Sequence, residues 1–286
     1  MAIQQGDGEV LRELALFAGA GGGILGGKLL GWRTVAAVEW GEFPASVLCA
    51  RQNEGLLPTF PIWDDVQTFD GRPWRGIVDV VSGGFPCQDI SVAGKGAGID
   101  GERSGMWIHM ARIIGEVRPR FAFVENSPAL ITRGLATVLG DLASLGYDCR
   151  WTVLGAADVG ANHQRDRFWL VATDTLRNGC GQRKVEHITR QYESAAHASA
   201  DGAEKLVADT DSAQRQRNER TQRVGAQYAN IGSASWWASE PDVDRVAHGV
   251  AARVDRLKAI GNGQVPLCAA TAWRMLYRSA NAGVNK

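Results

Sequence analysis

The residue type best suited to nucleophilic chemistry is Cys87, set in 77–91, IVDVVSGGFPCQDIS. The apolar run rich in Val and Ile reads as a buried parallel strand that Gly83 and Gly84 stop with a turn. Pro86 fixes its own φ and turns Phe85 away from helical geometry. Cys87 is therefore expected on a stiff loop at the carboxyl end of a strand, where open α/β sheets place their chemistry. A cysteine after a strand is also commonly a small buried hydrophobe. The polar Gln88, Asp89 and Ser91 beside it, which a sealed core would have to satisfy, favour a partly open site and a reactive thiol.

A carboxylate recurs in the same setting. The apolar run 121–124 reads as another buried strand, ending in Glu125-Asn126-Ser127-Pro128. In a parallel sheet that end faces the same crevice as Cys87. A turn opening a helix accounts for Asn126, Ser127 and Pro128 but leaves Glu125 unexplained. Further on, Arg165 and Arg167 lie between two segments, 150–154 and 168–172, that read as antiparallel strands. Two apart in an extended segment, they share a face, and a planar guanidinium suits a carboxylate or phosphate. A surface salt bridge is the alternative for either one.

The elements that position these groups follow from periodicity. Residues 14–17 are a short apolar strand running into AGAGGG, after which Ile24, Leu25, Leu29 and Leu30 recur at helical spacing. A glycine turn opening a helix offers backbone N–H groups to a nucleotide-like ligand, or serves tight helix-on-sheet packing. Residues 34–38 form a second strand ending in Glu39-Trp40, where a carboxylate can accept ribose hydroxyls and an indole can cover an adenine. Ile62-Trp63-Asp64-Asp65-Val66 is a shorter strand end whose Asp65 is open to two readings, acceptor for an exocyclic amine or acidic loop.

Residues 94–105, GKGAGIDGERSG, are too glycine-rich for regular structure and suit a mobile cover over the site. Helices are expected over 106–117, 130–145 with Gly146 as its stop, and 267–276 after a turn at Gly261-Asn262-Gly263 and Pro266. From 174 to about 256 apolar periodicity almost vanishes and spaced arginines mix with His, Tyr and Trp. That texture suits a loop-rich domain touching DNA, a solvated charged face or disorder.

The chain has 286 residues, 45% hydrophobic, enough for one large domain with or without a small one. Basic and acidic residues both number 31, so any basic surface is local. Five cysteines, scattered and never in CxxC, argue against a disulfide framework or thiolate zinc site and for a reducing compartment. No signal region or membrane span is read, and a cytosolic protein is expected.

FAGAGG, EW, GGFPCQ-x-x-S, ENS, the Arg-x-Arg pair and GNG-x-V-P stand in one order along 14–172 and 257–286. Together they resemble the C5-cytosine DNA methyltransferases. The resemblance implies an α/β fold, a doubly wound Rossmann-type sheet binding S-adenosylmethionine, with a small target-recognition domain inserted before the last helix. It divides the chain into a catalytic and cofactor-binding domain (1–173), a target-recognition domain (174–256) and a return to the catalytic domain (257–286).

By the same resemblance, Cys87 is the nucleophile that adds to carbon 6 of a flipped-out cytosine. Glu125 holds the ring, Arg165 its carbonyl oxygen, and Asn126 assists. Phe17, Ala20, Gly22, Glu39, Trp40, Asp65, Val66, Gly84, Pro86, Met106 and Asn262 fall where the family holds its cofactor. Gln88, Ser91 and Arg167 fall where it orients the loop, the base and the DNA backbone. S-adenosyl-L-homocysteine is the implied product, and no metal is required.

Ala15, His163 and Gly263 depart from residues common at those places in the family. The implied partners are double-stranded DNA and a cognate restriction endonuclease, with a monomeric enzyme in a bacterial cytoplasm, nucleoid-associated or phage-encoded. Alternatives on the same scaffold are a transfer-RNA cytosine-5 methyltransferase and a catalytically inactive nucleic-acid-binding relative. A nicotinamide dehydrogenase shares the early glycines and Glu39 but gives no reason for PCQ or ENS.

Overall fold

In the computed structural model, which describes residues 10–86, 105–175 and 252–281, the apolar runs form a seven-stranded sheet. Its strands are β1 (Arg12–Leu16), β2 (Arg33–Val38), β3 (Ile62–Trp63), β4 (Val80–Gly84), β5 (Phe121–Asn126), β6 (Tyr147–Leu154) and β7 (Arg167–Asp174). They are ordered β3-β2-β1-β4-β5-β7-β6. The first five are parallel, and β7 pairs antiparallel with both β5 and β6. The order reverses at β1 and β4, so their carboxyl ends border the crevice in which such sheets bind ligands.

Helices cover both faces, as the period of two along each strand requires. Leu14, Leu16, Val81, Ala122 and Val124 face one layer, built by α3 (Met106–Val117), the short α4 (Leu130–Arg133) and α5 (Leu135–Ser144). On the other side lie α1 (Gly22–Leu29), α2 (Glu42–Asn53) and the closing α7 (Pro266–Asn281), preceded by α6 (Arg253–Asn262). Trp273 of α7 is fully buried there, edge-on to Trp32 at 4.6 Å and to Phe121 at 5.3 Å. No described helix is long and apolar enough to cross a membrane.

The α/β sheet with helices on both faces agrees with the sequence reading, but several local expectations change. Gly83 and Gly84 form no turn; they are the last two residues of β4, paired with Leu16, Val124 and Glu125. A Cβ on Gly83 would meet the Leu16 carbonyl oxygen at 2.7 Å, and one on Gly84 would meet Glu125 Oε2 at 2.3 Å. The glycines serve close approach rather than chain reversal. Asp64-Asp65-Val66 is a turn after a two-residue strand, not strand. The helix expected over 130–145 is broken at Gly134. Gly261 and Asn262 close α6 instead of forming a turn, and the chain extends only at Gly263.

Candidate active site

Between β1 and β2 the chain turns with Phe17 at φ 52°, Gly19 at 55° and Gly21 at 91°. A phenylalanine in left-handed geometry is uncommon and marks a turn held by its surroundings. The holder is Glu39: its Oε2 accepts the Gly19 N–H at 2.7 Å and its Oε1 accepts the Gly41 N–H at 2.7 Å. One carboxylate thus staples the loop after β1 to the loop after β2, while each oxygen keeps a second lone pair for another donor.

This turn, the carboxyl ends of β4 and β5 and the link between α6 and α7 border a cleft. Phe17, Gly19, Gly84, Glu125, Asn262 and Gln264 are among its lining residues. Cavities bounded by glycines admit a ligand against the backbone itself.

Glu125 sits at the head of β5, opposite Trp169 of β7. That antiparallel register brings Arg167, two residues before Trp169, diagonally onto the same face. The Arg167 Nε reaches Glu125 Oε1 at 3.0 Å, and the Glu125 side chain is only 12% exposed. Burial pushes the Glu125 carboxyl above the ordinary carboxylate range, against the pull of Arg167, of Arg165 and of a hydrogen bond from Gln264. Such a group takes a proton more readily than a surface acid.

Arg165 and Arg167, expected on one face, both act on the Glu125 carboxyl but come from different elements. Arg167 belongs to β7, whereas Arg165 lies in the loop before it, where the strand period no longer applies. Arg165 reaches the other wall of the cleft, its Nη2 donating to the Gly261 and Gly263 carbonyls at 2.6 Å each. It secures the link that carries Asn262, while Arg167 makes the 3.0 Å ion pair with the carboxylate. Asn126 is 2% exposed and donates its Nδ2 to the Phe85 carbonyl at 3.2 Å. It anchors the chain where it leaves β4 toward Cys87.

Of the residues expected to hold a cofactor, Phe17, Gly84 and Asn262 line the cleft. Glu39 stands behind its rim, and Ala20 and Gly22 belong to the same turn without lining it. Trp40 is 77% exposed, the indole uncovered. Asp65 accepts the Gln67 N–H through Oδ1 and so caps its own turn, away from the cleft lining. Val66 is buried in the core beside Phe69, and Met106 packs on that core from the start of α3. Pro86 is exposed at the end of the described β4 loop. Cys87, Gln88, Ser91, the loop 94–104 and residues 176–251 lie outside the described residues.

Two residues escaped sequence reasoning. Gln264 lines the cleft and reaches Glu125, but a polar residue after a glycine carries no signal that it points inward. Glu13, in the middle of β1, is 1% exposed and accepts from Thr34 Oγ1 and Ser82 Oγ at 2.7 Å each. Its break of the apolar alternation was the available clue.

The family model for C-5 cytosine-specific DNA methylase matches residues 11–246. Over 163 residues the chain is 33% identical to the type II methyltransferase M.CviJI of Paramecium bursaria Chlorella virus IL3A, covering 56% of this chain and 42% of that enzyme. Over 172 residues it is 34% identical to M.Eco47II of Escherichia coli, covering 57% of this chain and 39% of that one. The solved structure of the Entamoeba histolytica methyltransferase EhMeth aligns with a TM-score of 0.49 at 15% identity, covering 58% of this chain and 53% of that one. The chain thus spans less than half the length of the two curated relatives. With the family model covering most of its length, the chain belongs to the C-5 cytosine-specific DNA methylase family.

Proposed function

We propose that this protein transfers a methyl group from S-adenosylmethionine to carbon 5 of a cytosine in double-stranded DNA through a covalent adduct on Cys87. The observation that carries the reading is the buried Glu125, paired with Arg167 at 3.0 Å and raised in proton affinity, on the wall of a glycine-lined cleft. The cofactor fits the residues present: the left-handed turn at Gly19 brings backbone close to a ligand, Gly84 leaves no room for a Cβ beside Glu125, and Glu39 retains acceptor capacity for hydroxyls. Phe17, Gly19, Gly84 and Asn262 would hold it, with Glu39 behind them. When bound it supplies an electrophilic methyl on a sulfonium.

The chain's own residues do the rest. Carbon 5 of cytosine is a poor nucleophile, so the Cys87 thiolate forms a bond to carbon 6 and pushes its electrons toward carbon 5. Glu125 shares a proton with ring nitrogen 3 and so stabilises the charge entering the ring. Arg167 keeps the Glu125 carboxyl in place through that step. Once carbon 5 carries the methyl, its proton leaves to a base and the sulfur–carbon 6 bond breaks, restoring the ring and the thiolate. A stacked base cannot present both faces of its ring, so the target is flipped out of the duplex at a cost of a few kcal/mol. Choice of base sequence falls to the 174–256 segment.

The test is bisulfite sequencing of duplex DNA from cells expressing the chain, paired with methyl incorporation into transfer RNA. Methylated cytosine in a fixed DNA context, lost in Cys87→Ala while cofactor binding survives, is the expected result. Equal activity in Cys87→Ala would refute the nucleophile, and incorporation into transfer RNA alone would refute the substrate.

A further inference from the structure

Where the chain leaves α6 at Gly263, the next residue crosses the cleft. A Cβ on Gly22 would lie 2.3 Å from the Gln264 carbonyl oxygen, one on Gly23 would lie 2.6 Å from Gln264 Oε1, and one on Gly84 would lie 3.1 Å from Gln264 Nε2. Three glycines, two opening α1 and one ending β4, are thus the points at which this single glutamine presses on its surroundings. At its far end the carboxamide hydrogen-bonds the Glu125 side chain. The direction of that bond follows from chemistry: Nε2 is the donor a carboxylate needs, whereas Oε1 there would set lone pair against lone pair. Glu125 is accordingly held from two sides, by Arg167 of β7 and by the neutral amide from the α6–α7 link.

We propose that Gln264 is a positioning residue for Glu125, coupling the carboxylate to the glycine turn so that the cofactor wall and the base-holding wall of the cleft keep one geometry. The role in methyl transfer rests on the function proposed above; the positioning itself does not. A donor to a carboxylate favours the ionised form, so its loss makes Glu125 easier to protonate. The charged groups acting on Glu125 among the described residues are Arg167 and Arg165, both of which remain in a Gln264 variant. Gln264→Met keeps the volume and unbranched shape while removing the donor. Gln264→Glu keeps the shape and places a second carboxyl against the first, which raises the apparent titration of the pair further.

The experiment follows Glu125 by carbon-13 NMR of carboxyl-labelled glutamate in the full chain, its resonance assigned by its loss in Glu125→Gln. Glu125 is expected to titrate at higher pH in Gln264→Met than in the native chain, and higher again in Gln264→Glu. In duplex-DNA methylation, kcat of Gln264→Met is expected to fall about tenfold, the scale of one hydrogen bond to a charged group. The high-pH limb of its rate profile is expected to move up with the titration. A glutamine that merely fills space would alter cofactor affinity and leave both titration and limb in place. Coincident titration curves in the native chain and both variants would overturn the positioning role. A shifted titration in a chain that methylates no DNA would instead overturn the proposed activity and uphold the positioning.

Discussion

Replacing Glu13 by Gln should make the protein more stable at neutral pH and remove a dependence on acidity that the native chain carries. Glu13 lies in β1, buried between β2 and β4 and beside α1, where a Cβ on Gly27 would sit 3.1 Å from its Oε2. Burial pushes its carboxyl up from 4.5 to about 7, while the hydroxyls of Ser82 and Thr34 pull the other way. The folded state therefore binds a proton that the unfolded chain releases between those values. Stability from this proton is complete below pH 4.5 and is lost as pH rises through about 7.

Holding a carboxyl at about 7 instead of 4.5 is worth about 3 kcal/mol over the whole range. Most of this falls between roughly pH 5 and 8. Glutamine mimics the protonated acid, accepting from one hydroxyl and donating to the other, and does not titrate. Urea unfolding of the native chain and of Glu13→Gln at pH 5, 6, 7 and 8 measures the difference directly. The variant should gain on the native chain as pH rises, by about 2–3 kcal/mol across that span. Parallel stability curves would mean that Glu13 ionises as an ordinary acid, and the reasoning from its burial would be wrong.

Gly84→Ala should leave the fold intact, because the obstructing atom ends a side chain and is not backbone, yet displace that carboxylate by roughly 1 Å and lower single-turnover methyl transfer on the order of 100-fold. An unchanged rate would show that Glu125 need not stand where it does. Trp273→Ala removes a side chain with no exposed surface that meets Trp32, Phe121 and Phe123 edge-on, and should cost about 3–5 kcal/mol in chemical denaturation. A loss under about 1 kcal/mol would mean that the cluster closes over the gap.

Much of the scaffold was legible because it is local. The apolar runs at 80–81 and 121–124 mark buried strands, and the glycine turn before Ile24 marks the start of α1, since each depends on a few consecutive residues. Helix α3 falls at the residues its apolar spacing indicates, 106–117. The carboxylates were likewise readable in place: Glu39 and Glu125 end strands, and strand ends in a parallel sheet face one crevice. What each carboxylate meets was not. Glu39 binds the backbone of Gly19, twenty residues back, and Glu125 meets Arg167 only because β7 inserts antiparallel between β5 and β6.

Spacing placed Arg165 and Arg167 together and both act on Glu125, but only the fold shows that Arg165 also holds the Gly261 and Gly263 carbonyls. Gly83 and Gly84 look like a turn until the neighbouring strands show what their missing side chains make room for. Gln264 reaches Glu125 across more than a hundred residues of sequence. The chain by itself determined which groups stand at the ends of which elements, because backbone preference and hydrophobic period act over a few residues. Tertiary structure alone decided which of those groups touch, because donors and acceptors far apart in sequence are paired only once the sheet's order and register are set.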